Sequence, residues 1–137
     1  MRVFAWALVC AMSLCVPAFF CGSAWAQGGP HYAFDNAIPN IPGKSLRAVV
    51  VEYAPGAVNK PHRHAPSAFV TAYVLEGAVR SQVDDEPVRV YHAGEHFTEK
   101  PGAHHRISEN ASKTEPARML AIFVMDSGEQ ILSMPDP

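Results

Sequence analysis

Gly56-Ala57-Val58-Asn59-Lys60-Pro61-His62-Arg63-His64 begins the region that decides the fold, and Gly94-Glu95-His96-Phe97-Thr98-Glu99-Lys100-Pro101-Gly102-Ala103-His104-His105 answers it forty residues later. Side chains of an extended segment alternate between faces with a period of two, so His62 and His64 project to one side. Imidazole is the commonest side-chain ligand for first-row divalent metals, and a histidine on a second strand supplies a third bond. The chain reads as built around one histidine-lined site.

Strand signals surround these two stretches. Residues 46–53 are β-branched and stop at Pro55-Gly56; residues 68–75 stop at Glu76-Gly77. Residues 78–83 alternate cleanly, residues 84–87 turn, and residues 88–91 alternate back, which is a hairpin. Two short strands, 95–98 and 105–108, flank Pro101-Gly102, and residues 117–125 form the last strand. No segment sustains a helical period, so the expected fold is all-β, a sandwich or barrel over residues 44–127. Residues 27–43, rich in Gly, Pro and Asn, read as an N-terminal arm with one short edge strand around 31–34. Residues 128–137 read as a Pro-containing tail. Phe69, Tyr73, Phe97 and Phe123 are expected to fill the core.

Residues 1–26 are expected to be a signal peptide. Arg2 is followed by an apolar run to Phe20 and by Ala24-Trp25-Ala26, a small-x-small ending that favours cleavage after Ala26. The expected location is therefore periplasmic or secreted, with no stable membrane insertion after cleavage. Cys10, Cys15 and Cys21 all lie in this leader, so the expected mature chain has neither disulfide nor thiolate ligand. It retains 111 of the 137 residues, enough for one domain. Loss of Arg2 leaves ten Lys and Arg against thirteen Asp and Glu, a formal charge of −3. Without a basic stripe, nucleic acid is not an expected partner.

The two stretches resemble the motifs of the cupin superfamily, in particular its small single-domain (type-2) members. The first motif runs Gly, five residues, His-x-His, a few residues, Glu, six residues, Gly; Gly56, His62, His64 and Gly77 fill it. The second runs Gly, five residues, Pro-x-Gly, two residues, His, then a downstream Asn. Gly94, Gly102 and His105 fill it, Lys100 replaces its first Pro, and Asn110 falls one residue late. The resemblance implies a double-stranded β-helix, or jelly-roll barrel, holding one divalent metal ion (Fe, Mn, Zn or Ni) on His62, His64 and His105. The family's ligand glutamate falls at Val70 when counted back from Gly77, and at Ala68 or Phe69 when counted forward from His64. None of these offers a ligand atom.

The motif therefore leaves either a neutral three-histidine face or a decayed metal site. Glu99 could supply the carboxylate from another strand, and His96 could act as a substitute ligand or proton-transfer group. His104 is expected to face away from His105. The resemblance implies a metal-dependent dioxygenase, or an isomerase using the ion as a Lewis acid, acting on a small molecule. The alternative is a non-catalytic cupin that binds or senses a small molecule, with or without metal. It also allows a homodimer, formed through an edge strand or the arm.

Overall fold

A computed structural model describes residues 31–137; the expected leader lies outside the described residues. The described residues form eleven strands in order: β1 (His31–Ala37), β2 (Lys44–Tyr53), β3 (Val58–Asn59), β4 (His62–His64), β5 (Phe69–Glu76), β6 (Ala78–Val83), β7 (Arg89–His92), β8 (His96–Glu99), β9 (His104–Asn110), β10 (Ala117–Asp126) and β11 (Ser133–Pro135). The described residues contain no helix. One sheet has the order β1-β2-β10-β5-β8, the other β11-β4-β9-β6-β7 with β3 beside β9, and every pairing is antiparallel. The two sheets face each other as a jelly-roll barrel.

Alternation decides which side chains enter the barrel. In β10, Ala117, Met119, Ala121, Phe123 and Met125 are buried while the residues between them are not. In β5, Val70, Ala72 and Val74 are fully buried, whereas Phe69 and Tyr73 are 42% and 41% exposed. The expectation that Phe69 and Tyr73 fill the core is thus corrected: they share a strand with core residues but have the opposite parity. Phe97 and Phe123 do point inward.

Apolar side chains gather into two clusters. One holds Tyr53, Val74, Val79, Phe97 and Met119; the other holds Val49, Val70, Phe123 and Met125. Burying each such side chain stabilises the fold by roughly 1.5–3 kcal/mol.

Gly77 makes the switch from one sheet to the other between β5 and β6. Its φ of +69° suits glycine, and a Cβ there would run into the carbonyl oxygen of Pro116. Asn110, where the family motif ends, ties the neighbouring loops together. Its amide donates to the carbonyls of Ala54 and Glu115, and its own oxygen accepts from the Ser112 N–H. β11, within the C-terminal segment, lies along β4, with Ser133 opposite His64 and Pro135 opposite His62.

Candidate metal centre

β4 is short because Pro61 precedes it and Ala65-Pro66 follows it, yet it is held on both sides by β9 and β11. His62 stands directly opposite His105 in the β4–β9 ladder, and directly opposed residues share a face. His62 and His64 share that face through the period of two. The ring centroids of His62 lie 5.0 Å from those of His64 and 5.1 Å from those of His105. Each of the three rings offers one nitrogen such that all three atoms lie within 4.8 Å of one another. The three imidazoles expected from the motifs therefore do converge.

The opposite sheet adds a carboxylate. Glu99, at the end of β8, is 2% exposed, and its Oε2 lies 3.0 Å from His64 Nε2 and 3.5 Å from His105 Nδ1. Its strand alternates exposed and buried, so Phe97 and Glu99 face inward while His96 and Thr98 face out. His96 thus takes no part in the cluster. His104 points away from His105 and meets Asp136 at 2.7 Å.

Hydrogen bonds fix which ring nitrogen faces the centre. His62 Nδ1 lies 2.9 Å from the Lys60 carbonyl and His64 Nδ1 lies 3.3 Å from the Leu132 carbonyl. A carbonyl can only accept, so both Nδ1 atoms carry hydrogen, and in the neutral ring each Nε2 is left with a lone pair. His105 is turned the other way: its Nε2 lies 2.9 Å from Ser81 Oγ, leaving Nδ1 toward Glu99. Partners of this kind set tautomer and orientation in metal-ligating histidines.

Burial pushes His105 down to about 4, against the pull of Glu99, and also lowers His62. Burial works to raise Glu99, but the contact with His64 and the charge on the neighbouring imidazoles outweigh it and hold the carboxyl below its usual range. The ionised Glu99 carboxylate, buried in the barrel, needs a compensating positive charge. His64 Nε2 and Glu99 Oε2 are both buried without a hydrogen-bond partner although they face each other. A cation between them would satisfy both, and three imidazole nitrogens with one carboxylate oxygen form a donor set suited to Mn, Fe, Ni or Zn.

A cavity of about 550 Å³ opens between the edge strands β7 and β8. Its inner wall includes Ser81, Val83, Tyr91 and Phe97, with Arg89 and His96 nearer the mouth. Ser81 and Phe97 both touch His105, which places the cavity against the outer side of that ring.

The sequence profile of the Cupin domain family matches residues 49–123. The chain belongs to the cupin family. Among solved structures, this cupin is similar to a conserved protein with a double-stranded β-helix domain from Klebsiella pneumoniae, at 20% identity and a TM-score of 0.60, covering 81% of this chain and 89% of that one. It is also similar to the cupin domain of Schizosaccharomyces pombe Cnp3, at 22% identity and a TM-score of 0.57, covering 72% and 61% of the two chains. An oxalate oxidase in complex with the substrate analogue glycolate matches at 25% identity and a TM-score of 0.54, over 94% of this cupin and 62% of that chain. No curated protein sequence matches this cupin.

Proposed function

We propose that this cupin is a metal-dependent enzyme acting on a small, oxygen-rich molecule, with His62, His64, His105 and Glu99 holding the ion. The observation that carries the reading is the buried Glu99 carboxylate facing the Nε2 of an imidazole whose Nδ1 already meets the Leu132 carbonyl. A divalent ion held there supplies a Lewis acid and, if redox-active, an electron-transfer centre. The protein's own part is to orient the rings through Lys60, Leu132 and Ser81 and to keep water scarce by packing Phe97 against His105 and Phe123 against His64.

The activities expected are those of a dioxygenase or an isomerase, and the likeness to an oxalate oxidase makes small organic acids the first substrates to try. The leader reading would place this chemistry in the periplasm or outside the cell. The test is oxygen uptake and product analysis on protein loaded in turn with Mn, Fe, Ni and Zn, against organic acids, thiols, diketones and catechols. Turnover that disappears in Glu99→Gln and in His62→Ala supports the proposal. Metal binding with no turnover across the panel would instead favour the non-catalytic module that binds or senses a small molecule.

A further inference from the structure

The geometry points to a second small-molecule site, in the cavity between β7 and β8, that takes a free amino acid with its carboxylate on Arg89 and its ammonium toward Glu86. None of His62, His64, His105 and Glu99 lines this cavity. The site is therefore separate from the proposed metal centre, and the inference does not depend on metal binding.

Topology makes the space. β7 and β8 are the end strands of the two sheets and pair only with β6 and β5 respectively, so the sheets part along this side. The resulting volume of about 550 Å³ lies within the roughly 300–1,000 Å³ of small-molecule pockets.

Register aims a cation into it. Val79, Ser81 and Val83 of β6 are buried, and Tyr91 and Arg89 of β7 stand directly opposite Val79 and Ser81, hence on the same face. The guanidinium carbon of Arg89 lies 5.2 Å from the centre of the Tyr91 ring, and that ring lies 4.7 Å from Phe97. Stacked aromatic neighbours hold a guanidinium in place without neutralising it. Arg47, Arg80, Arg106 and Arg118 each meet a carboxylate of the chain; among the described residues Arg89 meets none.

The acids of the lining set the rest of the ligand. Glu86 is fixed by the turn after β6, where its N–H donates to the Val83 carbonyl at 3.1 Å, and it lines the same cavity. Its carboxylate forms no ion pair among the described residues. Glu95, the other acid of the lining, already accepts the His92 N–H at 2.6 Å. A simple anion on Arg89 would face two carboxylates, and a simple cation would face Arg89. A zwitterion satisfies both signs, and Arg pairs with a carboxylate by two parallel N–H donors. Tyr91, Phe97, Val83 and Pro87 make the remaining wall apolar, which selects an amino acid with an apolar side chain.

Isothermal titration of the purified chain with L-leucine, L-methionine and L-phenylalanine tests the inference. Each is run beside the carboxylic acid and the amine that keep its side chain but lack one of its charges. At least one amino acid should bind one to one, and roughly tenfold or more tighter than either of its analogues. Arg89→Ala should weaken that binding roughly tenfold or more, and Glu86→Gln should weaken it less, with metal content unchanged in both. Binding should persist in EDTA-treated protein. No binding by any of the three, analogues that bind as tightly, or binding untouched by both substitutions would overturn the inference and leave the metal centre standing. Binding that disappears with EDTA would place the ligand on the ion and overturn it as well.

Discussion

Val70 and Glu99 stand directly opposite each other across the β5–β8 ladder, both with buried side chains facing the three imidazoles' sheet. Counted back from Gly77, Val70 is also where the family's first motif places its ligand glutamate, with Ala68 or Phe69 the position counted forward from His64. The carboxylate that β5 lacks is thus presented by the adjacent strand at the same level of the barrel. Directly opposed residues have Cβ atoms about 5 Å apart, a gap that a glutamate side chain spans.

That relationship predicts a swap. Glu99→Val should lower metal affinity by more than roughly tenfold, because a charged donor is removed from a buried site. Adding Val70→Glu to that variant should recover most of the loss. Isothermal titration with Mn or Zn reads both effects, and no difference between Glu99→Val and wild type would remove Glu99 from the ligand set.

Ser81 is expected to act through His105 alone. Replacing it with Ala removes the partner of His105 Nε2, found at 2.9 Å, and frees the ring to change tautomer and rotate. Affinity should fall roughly 10- to 100-fold with little change in melting temperature. Ser81→Thr keeps the hydroxyl and should retain near-normal binding.

Tyr53 makes stability sensitive to alkali. Burial pushes its hydroxyl up from 10.0 to about 12, while the bond to Ser108 Oγ at 2.8 Å partly opposes that shift. The folded state therefore holds this proton more tightly than the unfolded state. The contribution is fully present below pH 10 and is lost as pH rises toward 12, reaching about 2–3 kcal/mol. Urea denaturation of wild type and Tyr53→Phe should show a stability difference that is constant up to about pH 9.5 and then moves against the wild type. A difference independent of pH would contradict this.

Gly77→Ala should destabilise the fold by roughly 2–4 kcal/mol, from a positive φ and from collision with Pro116. Gly94→Ala also has a positive φ but meets open space, so it should cost less. Thermal melts of the two variants measure the gap between them.

The histidine triad and the strand pattern around it were legible in the sequence because both rest on local periodicity. His62 and His64 need only the period of two, and His105 follows from motif spacing. Glu99 was harder, since the register that sets it opposite Val70 is a long-range pairing that spacing along the chain does not encode. One local signal was available: in the run His96-Phe97-Thr98-Glu99, an inward Phe97 requires an inward Glu99 and an outward His96. The same parity separates Val70 from Phe69 and Tyr73, whose aromatic character alone suggested the core. β11 gave no sequence signal, being three residues long and ending in Pro135. Yet the neighbouring Leu132 carbonyl orients His64.

The central claim is that four side chains from two facing sheets hold one divalent ion. Equilibrium dialysis of the purified chain against Mn, Fe, Ni and Zn, with metal counted by mass spectrometry, tests it most directly. The account predicts one tightly held ion per wild-type chain, a weaker ion in Glu99→Gln, and none in the His62→Ala, His64→Ala double variant. A wild type that retains no more metal than the double variant would contradict it.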